Sequence, residues 1–179
     1  MAFQGLPVDI PVLSGPAVYG TVREVHAAMP WHSLVGSTLH LMPGVPMVFM
    51  GDELGLTGVD GEHARTPFPW RRRDEWDEAT LEAYRTWIAV RREHVALRRG
   101  GLRWLHAEGD SMTYVREHPE QTVLVHLTRA QTAPTSLPLA ALGPDVRGFA
   151  AIAGAQPRVE GDHVLLPGDG PASLAAVVG

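Results

Sequence analysis

A chain of 179 residues, 45% of them hydrophobic, is long enough to enclose a sizeable core as one large domain or two small ones. Its formal charge of −5 and pI near 6.0 leave no basic excess, so neither nucleic acid nor a membrane surface is an expected partner. The lack of cysteine excludes disulfides, cysteine-zinc sites and thiol chemistry.

The first residues, MAFQGLPVDIPVL, have no basic start and are broken by Pro7, Asp9 and Pro11, unlike a secretory leader. No stretch approaches the roughly 20 apolar residues of a membrane span, and a cytoplasmic location is expected. Ser14 and Gly15 precede Pro16, a capping pattern. Val18, Val22 and Val25 then recur at helical spacing, which predicts a helix over 16–28 stopped by Pro30. Trp31 to Ser37 reads as a strand stub, with Leu34 and Val35 its strongly apolar residues. Thr38 to Met42 is too short for the crossover that parallel neighbours need, so a piece of chain is expected to be missing there.

The run PGVPMVFMGDELGLTG at 43–58 is the centre of the chain. Val45 to Met50 is almost unbroken in apolar character, which suits a strand buried on both faces of a parallel sheet. It empties into a glycine-rich loop bearing Asp52 and Glu53, and ligands gather at the carboxyl ends of such strands. A long Gly- and Pro-rich loop follows over 58–70, with Arg65 and Trp70 on it. The charge run Arg71 to Glu75 reads as solvated surface. Asp77 is placed to cap the next helix. That helix shows an apolar face of Leu81, Tyr84, Ile88 and Val95, flanked by Trp87 and Val90, with Arg91, Arg92, Arg98 and Arg99 near an end set by Gly100 and Gly101. All fifteen basic residues are arginine; that reads as codon bias, so arginine alone does not signal recognition.

From about 102 the pattern changes to short strands, expected at 102–108, 112–117, 122–129, 135–139, 148–153, 158–160, 163–166 and 173–178. Gly109-Asp110, Pro119-Glu120 and Gly161-Asp162 supply hairpin turns, and the segment reads as an antiparallel β-sandwich. The nine histidines form no H-E-x-x-H and no pair at i,i+4, so no metal is expected. No G-x-S-x-G, Walker or G-x-G-x-x-G motif occurs, and no cofactor is expected. The tryptophans at 70, 76, 87 and 104 could stack on sugars or fill a core. Trp70 stands apart because it lies on the irregular loop.

PGVPMVFMGDELGLTG, GEHARTPFPW and YRTWIAVRREHVALRRGGLRWLHAEGDSMTYVRE together resemble the carboxyl-terminal portion of α-amylase superfamily enzymes, glycoside hydrolase family 13, in the α-glucosidase, neopullulanase and cyclomaltodextrinase branch. The resemblance implies an α+β chain: residues 1–99 a partial TIM-barrel remnant, and residues 100–179 an antiparallel β-sandwich domain. Val45 to Met50 would be the eighth barrel strand and Asp77 to Leu97 the closing helix. Ser14 to Pro30 would be the helix between strands six and seven, and 32–37 the approach to strand seven.

The family's catalytic aspartate and glutamate, after strands four and five, have no counterpart in these 179 residues. The stabilising aspartate of its His-Asp motif is also missing, and an internal deletion between Ser37 and Thr38 accounts for that. No catalytic residue is therefore assigned, and the chain is expected to be inactive alone. Asp52, Glu53, Arg65 and Trp70 are the expected substrate-binding residues, for an α-glucan or maltooligosaccharide. A non-catalytic carbohydrate-binding or interaction module is one alternative. Half of a split glycosidase is another, with self-association or a complementing chain meeting the exposed barrel strand.

Overall fold

The structure, a computed structural model, describes residues 38–56 and 67–179. The expected helix at 16–28, the stub at 31–37 and Arg65 lie outside them.

Period-2 alternation in the second half of the chain produces eight strands: β1 (Gly101–Glu108), β2 (Ser111–His118), β3 (Gln121–Thr128), β4 (Thr135–Pro138), β5 (Phe149–Ala153), β6 (Arg158–Glu160), β7 (His163–Leu166) and β8 (Ala172–Val178). They match the eight expected segments to within a residue or so at each end. Every pairing is antiparallel, in a five-stranded sheet ordered β1-β2-β3-β8-β5 and a three-stranded sheet ordered β4-β7-β6. The register sets Tyr114, Val125 and Ala175 side by side on one face of the larger sheet, and Val115, Leu124 and Ala176 on the other. Each row has its own core. Val115 and Leu124 pack with Leu137, Val164 and Leu166 of the smaller sheet. Tyr114, Val125 and Ala175 pack with Leu41, Trp87, Val90, Ala96 and Leu97 from the helical part of the chain. β3 is buried on both sides, which explains its apolar density.

Immediately before the sheets lie α1 (Glu78–Glu93) and α2 (Val95–Arg99). Asp77 caps α1 as expected: its Oδ1 accepts from the Ala79 and Thr80 amides at 3.0 and 3.1 Å, and its Oδ2 from the Thr80 hydroxyl at 2.7 Å. The single helix expected over 77–97 is broken at His94, whose backbone is extended. Gln121 stabilises the break, donating to His94 Nδ1 at 3.0 Å and accepting from the Ala96 amide at 3.3 Å. The buried face of α1 is Thr80, Tyr84, Trp87, Val90 and Arg91. Ile88, expected on that face, is 39% exposed, because the sheet covers the adjacent stripe.

Residues 38–41, expected to be connecting chain, are helical. Leu41 is fully buried in the helix-side core, and the carbonyls that end the turn, which a helix cannot satisfy internally, meet two arginines. Arg91 Nη1 donates to the carbonyls of His40 at 2.7 Å and Met42 at 2.9 Å, and its Nη2 to that of Gly44. Arg116, 1% exposed, donates through Nη1 to Leu41 O at 2.7 Å, through Nη2 to Gly100 O at 2.8 Å and through Nε to Gly101 O at 3.1 Å. Gly100 closes α2, so one guanidinium ties two helix ends to β2. Burial, and for Arg116 also the charge of Arg91, pulls both pKa values down. A guanidinium starts high enough to stay charged.

The strand expected at Val45 to Met50 does not form. These residues have no regular secondary structure up to a turn at Met50, and they are exposed, Val45 at 95% and Met47 at 78%. A strand buried on both faces needs partners on both edges, and among the described residues every strand lies beyond residue 100 and pairs elsewhere. Pro43 and Pro46 remove two amide donors from the run.

Arg116→Leu removes the donor of three carbonyl oxygens, two of them in buried contacts, with an expected cost of about 3 kcal/mol. Urea denaturation checks this: the midpoint should fall well below that of the wild type, and a loss under about 1 kcal/mol would show that the carbonyls find other donors.

Candidate functional site

After the exposed run the chain turns sharply at Gly51, whose φ of 98° is in the left-handed region. A Cβ there would lie 2.7 Å from Leu56 Cδ1, so only glycine suits the position. The turn leads into a short 3-10 segment, Asp52–Leu54. Leu54 is the anchor: it is 1% exposed, and its carbonyl accepts from the Asp77 amide at 3.1 Å. Burying Leu54 fixes where its two acidic neighbours sit.

Both acids are engaged by their own turn. Asp52 Oδ2 accepts from the Phe49 amide at 3.2 Å, and Glu53 Oε2 from the Gly51 amide at 2.9 Å. Both lie near Tyr84 on α1, whose hydroxyl is pushed up to about 12 by burial and then by the negative charges of Asp52 and Glu53. His40 packs edge-on against the Tyr84 ring at 6.0 Å. The acids can accept hydroxyl donors from a ligand. Carrying both on one turn does not set them on opposite sides of a glycosidic bond, the geometry that two-carboxylate hydrolysis uses.

Trp70 lies on the second described stretch. It is 74% exposed, with Phe68 tilted against it at 4.3 Å between ring centroids and Trp76 edge-on to Phe68 at 5.8 Å. Trp76 Nε1 donates to Pro69 O at 3.1 Å, and the Arg73 guanidinium lies 4.8 Å from the Trp76 ring. Of the four expected site residues, Asp52 and Glu53 share a turn, Trp70 belongs to this aromatic group, and Arg65 lies outside the described residues. Tyr84 was read as a packing residue, yet it faces the acids. Phe68 and Arg73 were not singled out, although their spacing around Trp70 and Trp76 was legible.

The other titratable groups point to structure. His126 is buried; its Nε2 donates to Pro167 O at 3.0 Å, so Nδ1 accepts from the Thr113 hydroxyl at 2.8 Å. Burial holds its pKa below the usual histidine value. Among the described residues no group of three or more His, Asp or Glu could hold a metal ion, and no helix is long and apolar enough to cross a membrane.

No protein-family model matches the chain. A cyclomaltodextrinase from a Bacillus species is 33% identical over 94 residues, covering 51% of this chain and 17% of that protein. Neopullulanase 2 of Thermoactinomyces vulgaris is 30% identical over 96 residues, 52% of this chain and 16% of that one. A solved cyclomaltodextrinase structure superposes with a TM-score of 0.71 at 25% identity, over 82% of this chain and 25% of its own. The chain is related to the α-amylase superfamily of glycosidases. It matches their carboxyl-terminal portion, and it spans about one sixth of the length of the curated relatives cited here. The antiparallel sheets belong to this α-amylase-type likeness.

The placement of the acids beside Tyr84 can be read by ultraviolet titration of tyrosinate. Tyr84 should ionise near 12, and replacing Asp52 and Glu53 together by Asn and Gln should lower that value but leave it above the ordinary 10, because burial is the larger cause. An unchanged titration in the double variant would place the acids away from the phenol.

Proposed function

We propose that these residues are the carboxyl-terminal portion of an α-glucan-acting glycoside hydrolase of the α-glucosidase, neopullulanase and cyclomaltodextrinase kind, and that this polypeptide alone does not hydrolyse glycosidic bonds. On this reading residues 1–99 derive from a TIM barrel with an internal deletion before Thr38, and residues 100–179 are its β domain. Asp52, Glu53, Arg65 and Trp70 are what remains of a wall for an α-glucan or maltooligosaccharide. One observation carries the catalytic half of the proposal: Asp52 and Glu53 sit side by side on one turn, each accepting from a backbone amide. A retaining glycosidase needs two carboxyl groups about 5 to 5.5 Å apart, one on each side of the scissile bond. The names of the relatives, cyclomaltodextrinase and neopullulanase, support the substrate class.

A second reading, the split enzyme, draws on a separate observation. Val45, Met47, Phe49 and Met50 are exposed, an apolar stretch without cover among the described residues. A complementing polypeptide that supplies barrel strands on either side would give it both partners, and a second copy of this chain could cover it less completely.

The purified chain should release no glucose from maltose or cyclomaltodextrin and no chromophore from p-nitrophenyl α-glucoside. Hydrolysis lost on Asp52→Asn or Glu53→Gln would overturn the proposal. Activity recovered only on co-expression with the amino-terminal part of a related glycosidase would select the split enzyme.

A further inference from the structure

β3 carries two buried polar side chains, His126 and Thr128, on the face that also holds Val115 and Leu124. The register sets them opposite Thr113 and Ser111 of β2. Both reach the loop between β7 and β8, residues 167–171. The His126 ring spans from the Thr113 hydroxyl to the Pro167 carbonyl, and the Thr128 hydroxyl donates to Asp169 O at 2.9 Å. Just beyond β3, the Thr132 amide donates to Gly168 O at 2.8 Å and Gln131 Nε2 to Asp169 Oδ1 at 3.2 Å. The approach is close: a Cβ on Gly168 would lie 2.1 Å from Thr132 O. Yet no side chain of 167–171 is fully buried, so polar bonds rather than an apolar anchor seat this loop.

We propose that His126 is an acid-sensitive latch: proton uptake by its ring releases the 167–171 loop from β3 while the sheets stay paired.

The ring's partners are a hydroxyl and a carbonyl, and no carboxylate bonds to it among the described residues. A proton on Nδ1 turns the acceptor of the Thr113 hydroxyl into a second donor and leaves a buried cation without a counter-charge. Its outlet is a small cleft lined by the ring, Thr128, Ala155, Pro167 and residues 172–174, so moving Pro167 aside admits water to the ring. Burial lowers the ring's pKa, the Pro167 bond opposes that, and the charge of His106 on β1 adds to the lowering. The ionisable groups at this end of the sheet are otherwise engaged: His106 with the Ser111 hydroxyl at 3.0 Å, Asp110 of the β1–β2 turn with Arg129, and Asp169 with Gln131. β4, β5 and β8 carry none. Arg158 of β6 is registered with Leu165, which alternates with the buried Val164 and Leu166. Because the seated ring takes a proton less readily than an exposed one, the latch is whole above the ordinary value of about 6.5. It is lost as the pH falls through the lower value of the folded state.

Amide exchange of the full chain between about pH 5 and 7.5, with each rate compared with its intrinsic value, tests this directly. Protection of the Thr132 amide should be constant above about pH 6.5 and fall by up to about tenfold per pH unit below it, while that of Val125 holds. The fall should level off where the His126 ring signals themselves titrate. His126→Gln, which keeps a donor and an acceptor but takes no proton, should flatten the profile, and His106→Gln should keep the fall. A flat wild-type profile, equal losses at Thr132 and Val125, a ring titration out of step with the Thr132 profile, or a fall that survives His126→Gln would overturn the latch.

Discussion

Two buried arginines that bond to carbonyl oxygens hold this fold together. Arg91 and Arg116 gather the ends of the 38–41 turn and of α2 onto the face of β2. Taking two positive charges out of water costs several kcal/mol each before compensation. The compensation here is a set of helix-end carbonyls that would otherwise be buried and unpaired. Neither group can be removed singly without leaving the other exposed to that cost, so the arrangement specifies one packing of helix against sheet. The hydroxyl of Tyr114, close enough to feel both charges, has no hydrogen-bond partner among the described residues.

This constraint reaches the candidate site. By holding the carbonyls at 40–44, Arg91 sets where the chain leaves the core, and the chain is buried again at Leu54, ten residues after Gly44. Between these anchors the apolar run stands exposed and the acidic turn is brought under Tyr84. The helix-side core draws on Leu41, Trp87 and Leu97 before residue 100 and on Tyr114, Val125 and Ala175 after it. The helical segments and the larger sheet therefore share one interior. The larger sheet shares that interior with α1, the helix on which Tyr84 meets the acids.

The strands were legible in the sequence because two cues agreed: alternation set the faces, and Gly-Asp or Pro-Glu pairs set the turns. Asp77 was legible for the same reason, a capping residue before an apolar stripe. Val45 to Met50 misled because an apolar run reports burial in a sheet only when neighbours exist to bury it, and pattern alone does not count neighbours. The two arginines were missed for a different reason. Arg91 lies four residues after Trp87 and seven after Tyr84, on the buried stripe of α1, and Arg116 alternates with Met112 and Tyr114 on the helix-facing side of β2. Their positions were readable, but a charged side chain at a helix end or on a strand is normally solvated, and carbonyl partners as far away in sequence as Leu41 leave no local trace. The acids' proximity to Tyr84 was hidden likewise, since it depends on Leu54 being drawn inward.

Native-state amide hydrogen exchange addresses the clamp most directly. If Arg91 and Arg116 bind the 38–44 segment into the same interior as the sheet, the Met42 amide, bonded to Thr38 O at 3.1 Å, should exchange only through the global opening that releases Leu124 and Val125 of β3. Rapid exchange at Met42 while β2 and β3 stay protected would contradict the account, because it would show a sheet that stands without the segment its arginines hold.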